Sequence, residues 1–476
     1  MQNHPVLGSL TLGYCPFIGK KRQVVATRVT VAPGRPDVAP DAVALLLALQ
    51  EVWPSPAGTE AAMVSGAPSA VGHEPPLQLT LRSVDGNPGA RPTKPSSAAV
   101  AARPASGATS SVTNGVTNGV TSGVKGGVTS GVTSELAAVS LNIADESWLR
   151  AVMAQPVPPQ FMVEVPAFMA DDAHTVAALH ALHARGTLLL LKGRPLRPLP
   201  PDVLSCFSHA VVETEEERRA LPAAVPGTRR LALVQSGVRT SAAAAQAFER
   251  DAVAVLGWPL DDPLPQSSSR TSVPPDVQVV LELINGVDKD WPAARLETLL
   301  KREPTLAYRL MRYLNSPAFG LSVEINSFGH ALMLLGSQRL KRWLALLLAS
   351  ASKGNNAQPL MHAAVRRGLM MEELARGHGD AEVRGQMFIC GVFSLLDRLL
   401  NQPFADMMTS LPVPESVQQA LLGQGGPFAP YLALVSAVEQ EAAYDTREAA
   451  EQLMLGLAEV NQALLSALLA GRQLDG

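Results

Sequence analysis

Apolar residues alternate with others along LTLGYCPFI and again along VVATRVTVA, either side of a polar GKKRQ, so residues 10–32 are predicted to form a β-hairpin. A helix is predicted over Asp41–Val52, with Asp41 as its cap and Leu45, Leu49 and Val52 on one stripe. Periodicity then stops across residues 54–136, which close on VTNGVTNGVTSGVKGGVTSGVTS, a four-residue repeat of small residues. Such a composition cannot bury enough surface to offset its ordering entropy, and a disordered insertion is expected there.

Order returns at residue 137. Short apolar runs at 137–144, 161–167, 187–193, 209–213, 229–237 and 252–258 read as strands, with helical patterns between them at 145–154, 171–185, 214–221 and 241–251. That alternation predicts parallel βαβ units, and with the hairpin included it predicts a (β/α) barrel over residues 1–53 and 137–263. The Pro/Ser-rich DDPLPQSSSRTSVPPD marks a boundary, with a linker at 264–276, and every periodic segment from 277 to 476 is helical. The expected class is therefore α/β plus all-α: a barrel followed by a helical bundle.

In the helical half, Pro304 suits a first helical turn, and Leu306, Leu310, Tyr313 and Leu314 recur at helical spacing. Asn315-Ser316-Pro317 ends that helix, because a residue before proline is pushed out of the α region. SFGHALMLLGSQRLKRWLALLLAS predicts two helices about Gly336-Ser337, and a single closing helix is predicted over Thr446–Leu469 with Leu453, Leu457, Val460 and Leu464 facing the core.

Composition narrows the partners. The chain has 476 residues, 47% of them hydrophobic but only 4% aromatic, and a net charge of −3, so it is not a polyanion binder as a whole. Arg302, Arg309, Arg312, Arg339, Lys341 and Arg342 form a local basic excess, with few aromatic residues nearby to stack bases; a nucleic-acid partner is not expected. Cys15, Cys206 and Cys390 lack metal-site spacing and are expected as buried reduced thiols. The start MQNHPVLGSLTLGYCPF has no signal-peptide pattern, and the longest apolar runs fall short of the ~20 residues of a membrane helix; a soluble, cytoplasmic protein is expected. His180 and His183 are neighbours on one helix face but are expected on its surface, with Asp171 and Asp172 at the helix start.

Two resemblances give these halves names. YLNSPAFG followed by HALMLLGSQRLKRWL resembles the HD-related output domain (HDOD), in which an "L..ANS..FG" turn precedes an "AI..LG...L..W" helix. Metal-dependent HD phosphohydrolases carry adjacent His and Asp where MFICGVFSLLDRLL has Ser394 and Leu395, so this half is similar to HDOD in lacking that pair. His330, His362 and His378 are expected as surface or capped residues, Asp397 as a local cap or pair, and Met387, Met407 and Met408 as core filler. The first half resembles a degenerate EAL domain, the barrel phosphodiesterase that opens cyclic diguanylate with two metal ions. GYCPFIGKKRQVVATRV, SLNIA, FMVEV, GTLLLLKGR, LVQSGVRT and LGWPLDDP carry that likeness in order.

The EAL resemblance also assigns positions. The family's signature glutamate falls on Arg28, its paired aspartates on Lys192 and Gly193, later glutamates on Ser236 and Arg239, and its glutamine on Leu256; Ser208 is nearest in register to its lysine. Asn142 and Glu164 alone keep the family's residue type. Two-metal hydrolysis needs converging carboxylates, and a cation beside Arg28 and Lys192 would be repelled. The expectation is a regulatory protein without catalysis, cofactor or metal, acting on protein partners through the HDOD half. Its candidate partner surface is Arg309, Arg312, Asn315 and Phe319. The alternatives are a cyclic diguanylate phosphodiesterase or binder, and thirdly a nucleic-acid or nucleotide binder.

Overall fold

The hairpin forms as expected: β1 (Leu10–Gly19) pairs antiparallel with β2 (Val24–Pro33), turning through the polar residues between them. Helix α1 (Ala42–Val52) follows, and the Asp41 carboxylate accepts the Ala44 N–H at 3.0 Å, one of the amides a helix start leaves open. The structure, a computed structural model, describes residues 4–35, 38–54, 138–214, 231–264, 275–300, 328–349, 357–378, 380–407 and 413–475. The region expected as an insertion lies outside them from residue 55, as does nearly all of the helical pattern expected at 214–221.

Strands β3 (Val139–Ile143), β4 (Phe161–Pro166), β5 (Leu188–Lys192), β6 (Phe207–Glu213), β7 (Ala232–Ser236) and β8 (Ala254–Leu256) then add in sequence order, with α2 (Glu146–Met153), α3 (Ala173–Ala184), α4 (Pro201–Ser205) and α5 (Ser241–Glu249) among them. Asp145, Asp172 and Thr240 cap α2, α3 and α5 through their side-chain oxygens. The strands close into a barrel in the order β1 to β8. Neighbours from β2 to β8 are parallel, whereas β1 runs antiparallel to both β2 and β8.

Closure is incomplete at one point. β8 is three residues long and pairs only with Phe17–Gly19, so the first half of β1 has no strand on that side. A backbone edge left there would expose buried, unpaired groups. The helices of the second half fill the gap. They run α6 (Pro275–Asp288), α7 (Ala293–Leu300), α8 (Phe328–Ala349), α9 (Ala357–Leu374), α10 (Ala381–Phe393), α11 (Leu396–Leu400), α12 (Phe404–Met407), α13 (Glu415–Leu421), α14 (Ala429–Glu439), α15 (Ala443–Gln452) and α16 (Leu457–Asp475). Asn461 of α16, fully buried, accepts the Leu12 N–H at 3.0 Å and donates to the Leu7 and Leu10 carbonyls at 2.7 Å each. One amide side chain thus serves the β1 edge as a strand would. Leu10, Leu12 and Tyr14 are buried under these helices, and the described residues of both halves belong to one compact unit.

Two helical runs are broken where the sequence pattern is continuous. The single helix expected over Thr446–Leu469 is two, α15 and α16, bent by 112°. Met454 takes a left-handed φ of 55°, and the Glu459 carboxylate accepts the Gly456 N–H at 2.7 Å, starting a new helix. Both helices bury the same core, so their apolar periodicity runs unbroken across the bend. The run at 387–400 likewise breaks after Phe393, where Ser394 Oγ donates to the Gly391 carbonyl at 2.7 Å. The α8 segment bends at Gly336, whose φ of 71° suits glycine, in keeping with the two helices expected about it. Cys15, Cys206 and Cys390 are buried free thiols, and Met387 and Met407 are core residues. Met408 lies outside the described residues. Among the described residues no single helix is long and apolar enough to cross a membrane.

Asn461→Ala strips partners from three buried backbone groups and is expected to cost about 2–4 kcal/mol in urea unfolding of the full chain. An unchanged midpoint would mean that the β1 edge is satisfied in some other way.

Candidate functional site

Residues 28 and 30 of β2, 140 and 142 of β3, 164 of β4 and 192 of β5 share the inner face of the barrel, because alternate strand residues point to the same side. Arg28, Asn142, Glu164 and Lys192, all picked out from the sequence, therefore meet. Arg28 donates through Nη2 to Glu164 Oε2 at 2.8 Å, and Ser140 Oγ donates to Glu164 Oε1 at 2.8 Å. Lys192 Nζ donates to Asn142 Oδ1 at 2.8 Å, and Asn142 Nδ2 donates to Thr30 Oγ1 at 2.9 Å.

The fourth charged group comes from the far end of the chain. Glu441, in the turn between α14 and α15, accepts from Arg28 Nη1 at 3.3 Å and from the Thr30 hydroxyl. Gly13 of β1 makes room for this turn: a Cβ there would stand 2.8 Å from the Glu441 Cα. Glu441 itself has a left-handed φ of 56°, which turns the chain sharply enough to point the carboxylate inward. The result is one polar chain: Lys192, Asn142, Thr30, Glu441, Arg28, Glu164 and Ser140.

Charge balances within it, with two cations, Arg28 and Lys192, against two carboxylates, Glu164 and Glu441. Burial works against the Arg28 charge, but Glu164 and Glu441 outweigh it and hold its guanidinium above the ordinary arginine value. Burial, and then Arg28, push the Lys192 ammonium below the usual lysine range. A divalent centre does not fit these residues. Arg28 Nη2 and Ser140 Oγ already bind the two oxygens of Glu164, and the Asn142 amide oxygen is bound to Lys192.

The other positions assigned from the resemblance do not join this chain. Arg239 pairs with Asp261 at 2.5 Å near the surface, Leu256 is core, and Gly193 makes a backbone bond to Val211. Ser208 donates to the Leu189 carbonyl, and Ser236 uses its carbonyl to accept from Thr214. His180 and His183 lie exposed on α3, with His180 3.5 Å from Asp202. Among the described residues no group of three or more His, Cys, Asp or Glu is arranged to hold a metal ion.

A cavity of about 340 Å³ opens beside Glu441, bounded by the barrel on one side and the helices on the other. Arg28, Cys15 and Trp258 line it from the barrel, and Arg367, Ser394 and Asp397 from the helices. Ser394 and Leu395 both line this cavity. Ser394 Oγ accepts from Arg367 Nη1 at 3.1 Å, and Asp397 pairs locally with Arg398, as expected. Arg367 forks onto Glu439, with its Nε 3.0 and 2.9 Å from the two carboxylate oxygens and its Nη2 2.7 Å from Oε2. Burial pushes the Glu439 carboxyl up, against the pull of Arg367. Trp258 Nε1 donates to the Glu439 carbonyl at 3.0 Å and its ring meets Tyr14 edge-on at 5.6 Å.

Sequence reasoning missed Thr30, Ser140, Arg367, Glu439, Glu441 and Asn461. The available signal was Glu439-Gln440-Glu441, acids closing the otherwise apolar helix APYLALVSAV. His362, expected on the surface or capped, is instead buried, and desolvation lowers its pKa well below the usual value. Two members of the expected basic face are used internally: Lys341 bridges to Asp288, and Arg342 pairs with Glu372 at 2.7 Å and lies over Phe388. Arg302, Arg309, Arg312, Asn315 and Phe319 lie outside the described residues, as do the side chains of His330, Arg339 and His378.

The family match falls in the helical half. Residues 272–410 match the family described as the HDOD domain. An uncharacterized protein of Bacillus subtilis, YuxH, is 33% identical over 162 residues, covering 33% of this chain and 39% of that protein. The cyclic di-GMP phosphodiesterase CdgJ of Vibrio cholerae is 27% identical over 204 residues, covering 43% of this chain and 47% of that protein. The matches thus span less than half the length of either relative, and no solved structure matches significantly.

Arg28→Met leaves the buried Glu164 and the half-buried Glu441 without their cation and is expected to cost about 3–5 kcal/mol in urea unfolding. Adding Glu164→Gln removes one of those charges and is expected to recover part of the loss. Strictly additive losses would show that the two side chains do not interact. Among all these findings, the family match is the one that places the chain: it carries an HDOD domain at residues 272–410.

Proposed function

We propose that this chain is a non-catalytic regulatory protein, in which a degenerate EAL-type barrel is joined to an HDOD domain that binds protein partners. One observation carries the reading: four of the positions that would supply metal ligands are bound to one another, with Arg28 holding Glu164 and Lys192 holding Asn142. Hydrolysis of a phosphodiester by two metal ions needs anionic oxygens free to bind them and to activate water. Here protein cations already occupy those oxygens. A barrel is stable without its chemistry, so its scaffold can persist as a regulatory part.

Protein partners are proposed to meet the HDOD half at Arg309, Arg312, Asn315 and Phe319, a surface that rests on the sequence alone. A second reading, in which the chain hydrolyses or binds cyclic diguanylate, is favoured by the activity named for the Vibrio cholerae relative.

Hydrolysis separates a non-catalytic protein from a phosphodiesterase. Full-length protein incubated with cyclic diguanylate and Mg²⁺ or Mn²⁺ is expected to leave the nucleotide intact, at the level of a blank without protein. Metal-dependent turnover that disappears in Glu164→Gln would establish the second reading instead.

A further inference from the structure

The turn after α14 carries two acids that reach in different directions. Glu439 is held in the fork of Arg367, on α9 within the HDOD match, while Glu441 is held by Arg28 and Thr30 inside the barrel. A single residue, Gln440, separates them. From this geometry we propose that Glu439–Glu441 is a latch: it closes the barrel mouth with the chain's own carboxylate and ties that closure to the position of α9. The proposal holds whether or not the barrel turns over a substrate.

Three features argue for a latch rather than ordinary interface packing. The turn inserts where β8 stops short, over an inner-face glycine whose missing side chain it needs. Its contacts with the barrel interior are polar and charge-assisted, made to Arg28 and Thr30, and water that enters can take over such hydrogen bonds. Water has a route, because the cavity of about 340 Å³ lies directly beside Glu441. A shift of α9 that pulls on Glu439 is transmitted through two backbone links to Glu441. In the open state Arg28 faces the cavity without the Glu441 carboxylate.

Cys15 reports the state of the latch. It pairs in register with Arg28, lines the same cavity and is buried while the turn is in place. Cys206 and Cys390 are also buried but do not line that cavity, and they act as internal references. The test is alkylation of the full chain by iodoacetamide across a range of pH, with each cysteine followed by peptide mass spectrometry and its rate referred to the thiolate present, because burial and then Glu441 itself hold the Cys15 thiol up. Glu441→Gln, which loses the charge but keeps the shape, is expected to raise the Cys15 rate about tenfold, in keeping with loss of a charge-assisted hydrogen bond. Arg367→Lys keeps the charge but gives up the fork, and is expected to raise the Cys15 rate several-fold. Cys206 and Cys390 are expected to stay at their wild-type rates in both variants.

An unchanged Cys15 rate in Glu441→Gln would overturn the latch. An unchanged rate in Arg367→Lys alone would overturn its tie to α9. If all three cysteines speed up together, the turn holds the whole fold rather than the mouth, and the proposal fails.

Discussion

A three-residue β8 leaves half of β1 without a neighbour, and much of the molecule follows from how that edge is satisfied. Backbone N–H and C=O groups buried without partners cost free energy on the scale of lost hydrogen bonds, so something has to stand where the strand does not. The last helix supplies Asn461, whose amide can both donate and accept, and which answers Leu7, Leu10 and Leu12 at once. With α16 fixed against β1, the bent pair α15–α16 and the turn before it are carried to the barrel mouth. The helices beyond the HDOD match thereby complete the barrel as well as the bundle.

The mouth then sets an electrostatic problem. Arg28 and Lys192 point into a low-dielectric interior from adjacent parts of the inner face, where two cations repel each other more strongly than in water. Glu164 answers one of them from within the barrel. Glu441 supplies the second negative charge from outside it, through the notch beside β1. The barrel interior is therefore neutral only while the C-terminal turn is in place. The Arg367–Glu439 pair does the same work on the helical side, since a buried carboxylate at that point would be costly without its guanidinium.

How much of this could be read from the sequence divides along local and long-range lines. The hairpin, the strand order and the caps at Asp41 and Asp172 follow from period-two alternation and from residues within a few positions of each other, and these were legible. Arg28, Asn142, Glu164 and Lys192 could also be singled out, because the EAL resemblance places family positions on them. Their partner Glu441 could not, since 413 positions separate it from Arg28 and nothing in the spacing links them. The break at 453–456 was hidden for a related reason: both helices face one core, so Leu453, Leu457, Val460 and Leu464 keep a helical rhythm through a bend made by Met454. The absence of a β8 partner for upper β1 depends on strand length, and element ends are the part of a sequence reading that periodicity fixes least.

The central claim is that the C-terminal turn neutralises the barrel interior through Glu441 and Arg28. A double-mutant cycle in urea unfolding measures it directly, using wild type, Arg28→Met, Glu441→Gln and the double variant of the full chain. Contact of the two charges in a buried network should give a coupling energy of at least about 1 kcal/mol. Coupling indistinguishable from zero would contradict the claim, and the barrel and the C-terminal turn would then be neighbours without being partners.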